Sequence, residues 1–191
     1  MQGEVKLFAV YLGGKAPRSN IELHDVVFVA GSSLEETHLK LKEKWFGYPH
    51  GIPHIDSYIE LTHADGFQIR LVQGQSNKDG YKLYFVNFGA YTENLFGEMH
   101  QSAFYVTRDK ASATQKARKA LCVGMIQTHL DDHLEVEGLV EFGKFDVDDV
   151  LEIESVDGYH LEFIPSEDKT GSPACPGYLR LKVDKPVTAS V

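Results

Sequence analysis

The chain has 191 residues, 42% of them hydrophobic and 25% charged, with a formal net charge of -9. That length and apolar content allow one large domain or two small ones around a proper core. The negative balance argues against non-specific nucleic-acid binding and against anionic membrane surfaces, both of which need clustered Lys and Arg. No apolar run reaches the length that spans a bilayer. A β-like segment begins at Val5, which leaves no room for a signal-peptide core. Two widely separated cysteines, Cys122 and Cys175, read as reduced thiols of a cytoplasmic protein.

In chain order, the first expected strand is Val5 to Leu12, followed through a Gly-rich loop by a second, Leu23 to Val29. Ser33-Leu34-Glu35-Glu36 is a capping box at the start of a helix. Leu34, His38, Leu41 and Trp45 form its apolar stripe, and Gly47 is the expected C′ residue. A strand from Ile55 to Leu61 and a last one from Phe67 to Val72 complete the unit, with Asp65-Gly66 as the turn. The polar stretch from Gln73 to Gly80 reads as a linker. The order then repeats: strands Leu83–Phe88 and Met99–Val106 come first, then a helix capped by Asp109. Ala113, Ala117, Ala120 and Leu121 make its stripe and Gly124 its end. Strands Leu130–Val136 and Tyr159–Ile164 follow. Beyond Pro165 a loop containing Cys175 leads to one extra strand, Tyr178 to Val183.

The repetition is visible residue by residue. Lys6-Leu7-Phe8-Ala9-Val10-Tyr11-Leu12-Gly13 matches Lys82-Leu83-Tyr84-Phe85-Val86-Asn87-Phe88-Gly89, and Glu22-Leu23-His24 matches Glu98-Met99-His100 in the same alignment. His54-Ile55-Asp56 matches His129-Leu130-Asp131, and Asp65-Gly66-Phe67 matches Asp157-Gly158-Tyr159. The wider separation of the last match places an insertion at about 137–153 in the second copy. The expected architecture is therefore α+β, two tandem ββαββ repeats with mostly antiparallel sheet. The first spans 1–75, the second 76–164, and 165–191 is a C-terminal extension. An approximate twofold axis would relate the repeats, docked as one compact body because bare sheet edges invite aggregation.

Tyr11-Leu12-Gly13-Gly14, Glu22-Leu23-His24-Asp25-Val26-Val27-Phe28-Val29, Trp45-Phe46-Gly47 and His54-Ile55-Asp56 together resemble a bacterial domain-of-unknown-function family that occurs in one or two copies per chain. The resemblance is close over residues 7–61 and looser in the second copy. It implies a bacterial, cytoplasmic protein and supplies no catalytic residue.

The sharpest chemical candidates are Glu-x-His and His-x-Asp, each present in both copies. On a strand, positions i and i+2 face one side, so His54 and Asp56 point together, as do His129 and Asp131. If Glu22-x-His24 and Glu98-x-His100 lie beside them, the metal-ligand candidates are His24, His54 and Asp56 in the first copy and His100, His129 and Asp131 in the second. That inventory suits a divalent transition metal: zinc, manganese or iron. The competing reading is an ordinary solvated strand face, or a carboxylate-imidazole pair acting on a bound ligand. Gly13-Gly14-Lys15 lacks the spacing of a nucleotide loop, and Asp146 to Asp149 does not follow the calcium-loop pattern. With no complete catalytic constellation, the expectation is a small-ligand-binding or interaction module whose partner is a small molecule, a protein or a second copy of the chain. The alternative is a metal-dependent, hydrolase-like enzyme.

Overall fold

The computed structural model describes residues 4–74, 79–91, 95–123, 127–128 and 149–182. Its elements, in chain order, are β1 (Lys6–Gly14), β2 (Leu23–Gly31), a 3-10 turn (Glu35–Thr37) leading into α1 (His38–Lys44), β3 (His54–Glu60), β4 (His63–Ala64) and β5 (Phe67–Val72). Then come β6 (Lys82–Tyr91), β7 (Met99–Thr107), α2 (Lys110–Ala120), β8 (Gln127–Thr128), β9 (Asp149–Ile153), β10 (Ser155–Val156), β11 (Tyr159–Pro165) and β12 (Cys175–Arg180). The fold is α+β, and every strand pairing is antiparallel among the described residues. Among those residues no helix is long and apolar enough to cross a membrane.

Three sheets share the work. The first runs β12-β3-β1-β2, the second β10-β11-β5-β4, and the third β7-β6-β8 with β9 also paired to β6. β1 and β6 are apolar on both faces because both faces are covered. Phe8, Val10 and Leu12 of β1 pack with Leu41 and Trp45 beneath α1, while Leu7 turns to the central core. Tyr84, Val86 and Phe88 of β6 likewise meet Ala113 and Ala117 of α2, and Leu83 and Phe85 face the centre. The small residues on α2 let it lie close to its sheet. The central core joins both halves of the chain through Leu7, Leu83, Ile69, Leu161 and Phe163.

Two tight turns organise the middle sheet. Asp65 and Gly66 have φ of 53° and 84°, and Asp157 and Gly158 have φ of 51° and 86°. Positive φ at both central residues defines a type I′ hairpin turn, which matches strand twist and favours Asp-Gly. The hairpins β4-β5 and β10-β11 pair through β5 and β11, with Arg70 opposite Glu162. Each turn aspartate reaches across the molecule. Asp157 Oδ2 accepts the Ala30 N–H at 2.9 Å and meets Lys40 at 3.1 Å; Asp65 Oδ2 accepts the Val106 N–H at 3.2 Å and meets Lys116 at 2.5 Å.

Several local expectations are corrected. Residues 149–153, expected inside an insertion, form a strand that pairs with β6 from Leu83↔Ile153 to Asn87↔Asp149. Cys175 lies in β12 rather than in a loop; β12 is an edge strand of its sheet, where a proline such as Pro176 is tolerated. Ala120 is exposed, since α2 ends there and Cys122 turns inward in the left-handed region, φ 55°. α1 stops at Trp45, whose backbone is extended, so Gly47 is not its C′ residue. Gly47 is instead demanded by space: a Cβ there would collide with the Trp45 indole and approach the Lys15 carbonyl to 3.0 Å. The Ser33 hydroxyl accepts the Glu36 N–H at 3.4 Å, but the Glu36 carboxylate turns to Ser32. Gly124 and the expected strand Leu130–Val136 lie outside the described residues.

Candidate functional site

Strand register builds the site. Gly13 of β1 pairs with His24 on one side and His54 on the other. Residues directly opposite in adjacent strands share a face, so the two imidazoles rise from the same face with only a glycine between them. Asp56 is placed by an irregularity: Tyr11 pairs with Ser57 and Leu12 with Ile55, leaving Asp56 as the extra residue of a β-bulge. Bulges re-aim side chains, and this one turns the carboxylate toward the histidines. Glu22, just ahead of β2, completes the group.

The four side chains converge closely. His24 Nε2 lies 3.5 Å from Glu22 Oε1 and 3.4 Å from Asp56 Oδ2; His54 Nε2 lies 3.4 Å from Glu22 Oε1 and 3.1 Å from Asp56 Oδ1. Asp56 Oδ2 is buried and accepts no hydrogen bond among the described residues, despite the nearby imidazole. A Cβ on Gly13 would stand 2.5 Å from Asp56 Oδ2 and 2.7 Å from His54 Nε2, so the glycine is the floor of the group. Two tyrosines flank it. Tyr11 stacks on His24 with centroids 5.3 Å apart, and Tyr178 lies against His54 at 4.5 Å. Burial, and then the charge of Asp56, hold the Tyr11 phenol above its usual range. Tyr178 arrives through a second irregularity, between Pro176 and Leu179 of β12, directly opposite the first. Next to Gly13, a Cβ on Gly14 would stand 3.1 Å from the Trp45 ring and 3.3 Å from Pro53.

The sequence candidates thus divide. His24, His54 and Asp56 come together, with Glu22 beside them. His100 stands 3.3 Å from Glu98, whose Oε1 is buried without a hydrogen-bond partner among the described residues. His129 and Asp131 lie outside the described residues. Lys15, in the Gly-rich loop, donates to the Asn20 carbonyl at 3.2 Å. Gly13, Tyr11 and Tyr178 are not among the sequence candidates. Tyr11 carries a signal, since it shares the strand face of Gly13; Tyr178 carries none, because its partner strand is remote in sequence.

The family model described as Domain of Unknown Function (DUF1543) matches residues 19–71, a segment that holds all four converging residues. A solved structure, the crystal structure of a protein Il1583 from Idiomarina loihiensis, is 31% identical over 93% of this chain and 98% of its own, with a TM-score of 0.66. The chain belongs to the DUF1543 family. No curated protein matches this DUF1543 chain.

Proposed function

We propose that this protein is a duplicated binding module whose first repeat holds a divalent transition metal between Glu22, His24, His54 and Asp56. The observation that carries the reading is the spacing of the four groups. Ligands about 2.0–2.1 Å from a tetrahedral zinc stand roughly 3.3–3.4 Å from one another. The four imidazole–carboxylate contacts here run from 3.1 to 3.5 Å, and ligand atoms of Glu22, His24 and Asp56 all lie within 4.8 Å of one another, with His54 joined to the set through Glu22 and Asp56. Three of those distances, 3.4 to 3.5 Å, are long for hydrogen bonds, and the orphaned Asp56 Oδ2 fits a cation ligand better than an acceptor left dry. Two neutral imidazoles and two carboxylates would balance a divalent charge, and the donor set suits zinc, manganese or iron. A small ligand beside the metal is the function this arrangement supports best.

The duplication is supported by register. Lys6↔Gly31 and Lys82↔Thr107 open the two β-hairpins at the same spacing as the sequence match. Lys6 pairs with Glu60, and Lys82 with Glu152, at equivalent places. Asp65 and Asp157 reach reciprocally into the opposite repeat, and the Arg70↔Glu162 pair is where an approximate twofold axis would pass. On this reading β9 is the counterpart of the second half of β3, and the insertion falls before it, where the first repeat has its bulge.

The test uses the full chain, purified without a metal-affinity tag and stripped with chelator. Calorimetric titration should show zinc binding that His54→Ala/Asp56→Ala removes, with an unchanged circular dichroism spectrum. Cobalt should also quench Trp45, which packs against Gly14, the neighbour of Gly13. Absence of zinc binding, or binding indifferent to the double substitution, would sink the reading.

A further inference from the structure

β12 covers one flank of the four converging side chains and is anchored on either side of its own length. Before the strand, Ser172 Oγ accepts the Thr62 and His63 N–H groups, each at 2.9 Å, and the Ser172 N–H donates to the His63 carbonyl at 3.1 Å. After it, Leu181 leans on the core beneath α1, and the Lys182 N–H donates to His38 Nδ1 at 2.8 Å. Between these anchors all six residues of β12 are exposed, and its pairing with β3 is interrupted between Pro176 and Leu179. A strand that buries none of its own side chains, on an interrupted ladder, opens at low cost. In that same interruption Tyr178 lies against His54, with ring centroids 4.5 Å apart. His54 is the most covered of the four, its side chain 14% exposed against 31–44% for the others.

His38 is buried, and an imidazole that accepts at Nδ1 carries its one proton at Nε2. The imidazolium has no acceptor, so a second proton and the Lys182 N–H cannot both sit at Nδ1. Burial opposes that second proton. Among the described residues, the charges acting on the ring are Glu35, from the turn that leads into α1, which favours the proton, and Lys182, which opposes it.

We propose that β12 is a strap that closes the metal centre by seating Tyr178 on His54, with His38 as its latch, which holds the strap while neutral and releases it when protonated. The effect on zinc rests on the metal reading above; the latch itself involves no metal. Release exposes the imidazole, which then takes up a proton more readily. Opening therefore becomes easier as pH falls below 6.5, by up to about tenfold per pH unit for one proton, and levels off below the lowered value of the closed state. With the strap open, His54 loses the ring that fixes its orientation, and zinc leaves faster.

Hydrogen–deuterium exchange of the metal-free full chain reads the strap at about pH 7.5 and about pH 5.5, after correction for the intrinsic pH dependence of amide exchange. In the parent, the amides of 175–182 should exchange faster at the lower pH, by up to about tenfold, while those of β1 do not. His38→Asn offers an amide oxygen to the Lys182 N–H but does not titrate, and should lose that difference. Glu35→Gln, at an exposed position, should move release to lower pH and serves if His38→Asn fails to fold. Zinc release to excess chelator should be about tenfold faster in Tyr178→Ala and parental in Tyr178→Phe, which keeps the ring. It should also quicken below pH 6.5 more in the parent than in His38→Asn, since protonation of His24 and His54 is common to both. An equal pH response of exchange in parent and His38→Asn, or zinc release indifferent to Tyr178→Ala, overturns the proposal. No zinc uptake by the parent sinks the metal reading instead, and the exchange alone then decides the latch.

Discussion

Gly13 shows how much a single residue decides. Its backbone belongs to an ordinary strand, so alanine is conformationally acceptable there, yet a methyl group would stand against Asp56 and His54. Gly13→Ala should therefore leave the fold intact and lower zinc affinity by about 10–100-fold, the range seen when the support of metal ligands is disturbed. Titration of the variant beside the parent checks this; parental affinity would mean that the four groups do not converge on one ion. Trp45 is the opposite case, a residue whose weight is mainly in packing. It is 1% exposed between α1 and the first sheet. Trp45→Ala should cost about 3–5 kcal/mol of stability. Native emission of this single tryptophan should be blue-shifted, and a maximum like that of indole in water would contradict the packing.

At the level of elements, His38 links α1 to the segment that follows β12. Its Nδ1 accepts the Lys182 N–H at 2.8 Å, so the ring is needed neutral. Burial pushes the imidazole below its usual 6.5, with the charge of Glu35 opposing and that of Lys182 assisting. The unfolded chain binds this proton more readily than the folded one. The contribution to stability is therefore full above pH 6.5 and is lost as pH falls through the lowered folded value. Urea midpoints measured between about pH 7.5 and about pH 5.5 should fall for the parent and fall less for His38→Gln. Equal slopes in the two proteins would exclude His38 as the titrating group. Because β12 carries Tyr178 onto His54, anything that loosens this segment also loosens one flank of the site.

The molecule as a whole is tied together by the crossed turns. Asp157 is 13% exposed and accepts from Ala30, itself a buried residue. Burial pushes the Asp157 carboxyl up, but the Ala30 N–H, Lys44 and Lys40 together hold it below the usual range. Its contribution is present above about pH 4 and lost as pH falls through the depressed folded value. Asp157→Ala would orphan the Ala30 N–H and place alanine at positive φ, costing about 1–3 kcal/mol from the lost acceptor alone. Asp157→Asn, which tolerates that backbone and keeps an oxygen, should cost less. Urea denaturation separates them, and equal losses would show that the hydrogen bond to Ala30 carries little. The lysines are about two-fifths exposed and add little by themselves.

How far the sequence alone reaches follows from what each pattern encodes. Unbroken apolar runs mark β1 and β6 as covered strands, Asp-Gly marks both I′ turns, and Asp109 marks the start of α2, where its side chain accepts the Ser112 N–H at 2.7 Å. These are local signals, written by steric and hydrogen-bonding preferences a few residues wide. Period-two alternation likewise shows that His54 and Asp56 share a face. It cannot show which strands are neighbours, nor that β12 begins at Cys175, because pairing partners are chosen by burial across the whole chain. The register that puts Gly13 between His24 and His54, the bulge that turns Asp56 inward, and the seating of Asp65 and Asp157 on opposite halves are decided only in the tertiary structure. Each depends on residues far apart in sequence being brought together by a core that no single segment can bury alone.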